Sequence, residues 1–221
     1  MKKYDFLFAL ILALLIAFIA VPTTRESFIA FTSVHPYVGG FCKFVILASM
    51  GELLAIRLTS GSWTKPAGFI YRALIWGLIG MVIAMVFSIY AGGVTAAMDK
   101  GLLPGQDSVL AFALLTSLIM NLTFGVSLFL FHRMTDTYID LLYKMPRRKV
   151  TFAGVIHTVD WQNFFTFVIG RTLPFFWIPA QTITFMLPPE YRVLMAAGLS
   201  LALGLILSLA KRSSRKEACP A

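Results

Sequence analysis

Six predominantly apolar stretches alternate with short polar breaks along the chain, at residues 6–21, 38–58, 69–97, 109–131, 164–187 and 192–210. Each is near the ~20 residues a helix needs to cross a bilayer. The breaks fall at 22–36, at 60–65, at the Gly- and Pro-containing run 99–107, at 132–163 and at Pro188-Pro189-Glu190. Within 132–163, Met134, Tyr138, Leu141, Leu142 and Met145 recur at three- and four-residue spacings, which predicts a short amphipathic helix on a membrane surface. The first stretch resembles a signal peptide. It is read instead as a spanning helix, because its apolar run exceeds the usual ~7–15 residues and no small-x-small cleavage site follows. Ala9, Ala13 and Ala17 give it a small-residue face.

Composition agrees with this pattern. Of 221 residues, 58% are hydrophobic and 13% charged, with a mean hydropathy of +0.81. Soluble domains carry about 25% charged residues. The expectation is one all-α integral membrane domain over residues 1–221, a bundle of about six helices with a basic polar tail from 211.

The net charge of +9 would suggest nucleic acid in a soluble chain. Here the cations are sorted by side. With the N-terminus inside, fourteen Lys and Arg fall on the inner side, in breaks, termini or the inner ends of the apolar stretches, while Arg25, Lys100 and Arg192 fall outside. That asymmetry sets both termini inside. The basic inner loops, including the run 146–149, are expected to attract anionic lipid head groups. Nucleic acid is not an expected partner, since no basic helix or aromatic platform accompanies the charge. The two cysteines, Cys42 and Cys219, fall on opposite sides and imply no disulfide.

The fifth stretch is chemically the most unusual, because it carries Arg171, Gln181, Pro174 and Pro179. A cation and a broken backbone in hydrocarbon must find partners within the protein. At ~1.5 Å rise per residue, Glu52 lies ~9 Å from the inner surface and Arg171 ~10 Å, so the two are expected to pair. That pair is either a gate or a structural strut. Arg57 competes for Glu52 but is expected to snorkel inward. Lys43 lies ~8 Å and Gln181 ~9 Å from the outer surface, which would make an outer polar vestibule unless Lys43 snorkels. Asn121, mid-way along the fourth stretch, is either interhelical glue or a pore-lining group. Pro174 and Pro179 are expected to free the carbonyls of Gly170 and Phe175 toward a cavity. Trp177 and its neighbours Phe175 and Phe176 face lipid or a cavity. His35, His132 and His157 fall in breaks, and no catalytic, metal-ligating or phosphate-binding spacing appears. An enzyme is therefore not expected, and neither a cofactor nor a metal is implied.

His35-Pro36, Met50-Gly51-Glu52, and then Trp177, Pro179, Gln181, Phe185, Pro189, Tyr191 and Arg192, with Leu207-Ser208 after them, resemble the signature of the Mpv-seventeen family, which includes the 22-kilodalton peroxisomal membrane protein. The likeness covers roughly residues 35–210. It departs at Ile178, which separates Trp177 from Pro179, at Thr184 in place of an Asn, and in the added stretch 6–21. The resemblance implies a small helical protein of organellar or bacterial inner membranes with a pore or metabolite-permeation activity. The expected function is thus a small channel or permeation protein. The alternative is a non-transporting scaffold whose buried ion pair is structural. Small solutes or ions are the expected ligands, a homo-oligomer is compatible with the pattern, and the MKK start favours a bacterial inner membrane.

Overall fold

A computed structural model describes the backbone of residues 2–145 and 149–217 and the side chains of 3–145 and 149–206. The basic run at 146–148, the tail cations from 211, Leu207, Ser208 and Cys219 therefore lie outside the described side chains. Every regular element is helical: α1 (Lys2–Ala20), α2 (Pro22–Val34), α3 (Pro36–Ser60), α4 (Phe69–Asp99), α5 (Val109–Met120), α6 (Val126–Lys144), α7 (Phe152–Thr158), α8 (Trp161–Asn163), α9 (Ile178–Met186) and α10 (Pro189–Glu217). Among the described residues four helices are long and apolar enough to cross a membrane: 3–20, 69–99, the joined α5–α6 at 109–144, and 189–206. α3 and the 161–186 helix are not among these four, and they carry Lys43, Glu52, Arg57, Arg171 and Gln181.

Local chemistry sets the boundaries. Proline opens α2 and α3 at their first turn, where its missing N–H costs nothing. Gly61, at φ 79°, ends α3 in the left-handed region and donates its N–H to the Arg57 carbonyl, the usual glycine C-cap. Ser108 caps α5 by accepting from the Ala111 N–H at 3.2 Å.

Two wide helical turns interrupt the ladders. Between α5 and α6, residues Asn121–Gly125 take π-helical spacing. The Asn121 Nδ2 donates to the Ser117 carbonyl at 2.9 Å and the Thr123 hydroxyl to the Ile119 carbonyl at 2.6 Å. The Ser117 carbonyl accepts from the Asn121 backbone N–H as well as from its side chain, so side-chain donors share carbonyls with the main chain where the spacing widens. Between α8 and α9, Phe164–Trp177 is π-helical around Pro174. A proline ring clashes with the carbonyl four residues back, and the wider spacing relieves that clash.

Three sequence expectations are corrected here. The break 22–36 is mostly helix α2. The predicted surface helix in 132–163 does not stand apart, because 132–144 continues α5–α6 without a stop and buries Ile139. A three- and four-residue apolar spacing is common to a surface helix and to an extended spanning one, and no breaker separates Phe131 from His132. The prolines do not turn Gly170 or Phe175 to the cavity described below; neither residue lines it, and Phe175 is 80% exposed.

α3 is the central helix. It meets α4 where Gly40 and Gly80 face each other backbone to backbone, so closely that a Cβ on either would overlap the other. It meets α10 where a Cβ at Gly51 would stand 2.8 Å from the Ser200 carbonyl and one at Gly204 2.9 Å from the Gly51 carbonyl. Small residues allow this approach, which suits helices that share no hydrophobic driving force in lipid. Phe44, Ile79, Ile83, Phe87 and Phe185 fill the core around these contacts. α1 is peripheral, with no buried residue between 3 and 20. Its attachment is Asp5, which accepts from Arg57 Nε at 2.8 Å, from Arg57 Nη2 at 2.9 Å and from Trp63 Nε1 at 2.7 Å.

Candidate functional site

Between α3, α4, α5–α6, the 161–186 helix and α10 lies a cavity of about 520 Å³. That is within the ~300–1,000 Å³ usual for small-molecule sites. Its walls are mostly apolar, and its polar groups gather at two levels.

The first level is an ionic cluster near the Gly61 turn. Arg72, in the first turn of α4, is 7% exposed. Its Nη1 meets Asp136 Oδ1 at 2.7 Å, its Nη2 meets Asp140 Oδ1 at 2.6 Å, and its Nε donates to the Ala67 carbonyl at 3.0 Å. Glu52 Oε1 lies 3.5 Å from the same Nη1. Asp136 and Asp140 are four residues apart on α6, hence on one face, and both reach the guanidinium. A planar fork with five donors is the side chain suited to several carboxylates at once. His132 packs against Trp76 with ring centroids 4.2 Å apart and planes tilted by 40°, and its Nδ1 is 3.6 Å from Asp136 Oδ2. Glu52, His132, Arg133 and Asp136 line the cavity. Three carboxylates thus share one guanidinium, and this end carries a formal excess of negative charge.

The second level is uncharged. Asn121, 4% exposed, is tied to Ser117, whose hydroxyl donates to the Ile178 carbonyl at 2.7 Å and so joins α5 to α9. Gln181, 5% exposed, lines the cavity, and its Oε1 has no hydrogen-bond partner among the described residues. A buried amide oxygen left so costs about 1–3 kcal/mol.

The expected Glu52–Arg171 pair does not form. Glu52 is partnered by Arg72, while Arg171 is exposed and in no ion pair among the described residues. Equal depth along two helices does not decide which faces they turn to each other. Arg57 does not compete for Glu52, because it is held by Asp5. Lys43 and Gln181 do not share a vestibule, since they line different cavities. Lys43 and Glu52 are nine residues apart on one helix; at ~100° per residue that is half a turn beyond two full ones, so they face opposite ways. Lys43 does not snorkel either: it is 7% exposed, and its Nζ, 4.7 Å over the Phe28 ring, has no hydrogen-bond partner among the described residues. Burying an ammonium without a counter-charge or hydrogen bond is costly, and a cation–π contact returns only about 0.5–2 kcal/mol.

Arg72, Asp136, Asp140 and His132 are the site residues that sequence reasoning missed. On the sequence Arg72 is only one of the inner-side cations and His132 a residue of a break, yet His132 is helical and Arg72 is buried in the first turn of α4. The Asp136/Asp140 spacing beside an otherwise apolar face was the available signal. The signature residues divide in role. Trp177 lines the cavity against Phe129 at 5.5 Å. Gly51 permits the α3–α10 contact, and Pro189 opens α10. Phe185, 1% exposed, lies under the Arg192 guanidinium, whose Nε donates to the Leu187 carbonyl at 2.9 Å. Tyr191 is half-buried beside it, and Pro179 is exposed in the first turn of α9.

No family model, curated protein or solved structure matches the chain.

Proposed function

We propose that this chain is a small membrane permeation protein whose path is the central cavity. The carrying observation is that Glu52, Asp136, His132, Asn121 and Gln181, from three separate helices, line one cavity at two levels. In this reading α3 and the 161–186 helix are also spans, which makes six, and each turns a polar group to the cavity, Glu52 from the one and Gln181 from the other. Both termini lie inside, in a bacterial inner membrane, where the basic loops meet anionic head groups. The Arg72 cluster is then the inner constriction, and its excess of carboxylate favours cations, as acidic rings do in cation channels. The resemblance to the Mpv-seventeen family is consistent with such a role.

A scaffold is the second reading. What favours it is that Arg72 is saturated by three carboxylates and a carbonyl, as a strut would be.

Flux through liposomes carrying the purified chain distinguishes the two. Permeation is expected for small cations over anions. Glu52→Gln is expected to lower that preference, and Gln181→Leu to lower the rate for all ions. Flux no greater than in empty liposomes, with both variants folded, would establish the scaffold.

A further inference from the structure

A second cavity, of about 340 Å³, lies on the opposite face of α3, walled by α1, α2 and α10. Its wall is apolar, with Leu15 and Phe18 from α1, Phe28 and Phe31 from α2, Ile46 from α3 and Leu194 from α10. Lys43 and Thr32 also line it, each 7% exposed. Lys43 Nζ and Thr32 Oγ1 both lack a hydrogen-bond partner among the described residues. They converge on one place: a Cβ at Gly39 would stand 3.7 Å from the Nζ and 3.6 Å from the Oγ1. No Asp or Glu is among the residues lining this cavity.

We infer that this cavity binds the anion of a single-chain amphiphile, a fatty-acid carboxylate, with its head at Lys43 and Thr32 and its chain along the apolar wall. An ammonium and a hydroxyl are both donors, and together they match the two oxygens of a carboxylate through charge-assisted bonds. An uncharged lipid would leave the cation unpaired, and a cationic one would repel it. Gly39 and Phe28 both line the cavity at this end. A phosphodiester would bring glycerol and two chains to a space of about 340 Å³, whereas a fatty acid brings one. On binding, the ion pair replaces the contact of Nζ with the Phe28 ring. Cys42, exposed and on the wall, reports occupancy without belonging to the head-group site.

The test uses the full chain carrying Cys219→Ser, stripped of lipid and placed in phosphatidylcholine nanodiscs. Laurate binding and the rate of maleimide labelling at Cys42 are measured against dodecanol, which has the same chain without the charge, and against dodecyl phosphate. Laurate is expected to bind once per chain, to slow labelling, and to bind at least about tenfold tighter than dodecanol. Lys43→Met should erase that difference and Lys43→Arg should preserve it, each variant keeping a cooperative thermal transition. Equal binding of laurate and dodecanol, discrimination that survives in Lys43→Met, or no binding would overturn the inference. Tighter binding of dodecyl phosphate than of laurate would overturn the carboxylate assignment and reassign the site to a phosphate head group.

Discussion

Arg72 and Lys43 are equally buried, each 7% exposed, and sit toward opposite ends of the bundle, yet they are treated in opposite ways. Arg72 has carboxylates from α3 and α6 and a backbone carbonyl. Lys43 has one aromatic ring. A buried cation surrounded by its counter-charges holds helices together, and removing it leaves those charges unpaired. A buried cation without them burdens the fold and is suited to a ligand that brings the missing charge. Burial alone therefore says little about a charged side chain; what it faces decides its role.

The contrast can be broken most sharply at Arg72. Arg72→Met strands Glu52, Asp136 and Asp140 together and is expected to cost about 3–5 kcal/mol, seen as a lowered unfolding midpoint in detergent. Neutralising the three carboxylates in the same chain should recover much of that loss. If Arg72→Met alone leaves the midpoint unchanged, the cluster is not a strut of any kind.

A smaller effect tests the rigid contact between the two ends. Gly40→Ala drives a methyl into the Gly80 carbonyl and is expected to cost about 1–3 kcal/mol by the same measurement. Gly92→Ala meets nothing within 4 Å and should not destabilise. The smallest effect has the opposite sign. Lys43→Met, in the ligand-free chain, should raise stability by about 1 kcal/mol, because it removes a buried ammonium whose burial only a cation–π contact offsets. A fall instead would mean that Lys43 is already satisfied and that the comparison with Arg72 fails.

Much of the fold was legible because its signals are local. The Gly- and Pro-rich run 99–107 separates α4 from α5, whereas Pro22 and Pro36, taken as the bounds of a polar break, each open a helix. The end of α6 was not legible, since the apolar spacing of 134–145 continues that of the preceding stretch. The site was partly legible. Glu52, Asn121 and Gln181 do line the central cavity, and Trp177 resolves to its wall. The partner of Glu52 was misassigned because depth is one coordinate and facing direction another. Helical phase already separates Lys43 from Glu52 by half a turn. No comparable rule reaches Arg171, because the π-helical stretch 164–177 alters the phase of everything after it.

The sequence by itself determined the all-helical class and several apolar segments of membrane-spanning length, and it singled out some of the polar groups that line cavities, Glu52, Lys43, Asn121 and Gln181. These follow from composition and from periodicities within a single helix. Only the tertiary structure decided which partners were found among the described residues: Arg72 for Glu52, Asp5 for Arg57, an aromatic ring alone for the Lys43 Nζ, and no hydrogen-bond partner for the Gln181 Oε1. Pairing depends on the azimuth and separation of helices far apart in the chain. Those are fixed by glycine contacts such as Gly40–Gly80 and Gly51–Ser200, which involve two segments at once.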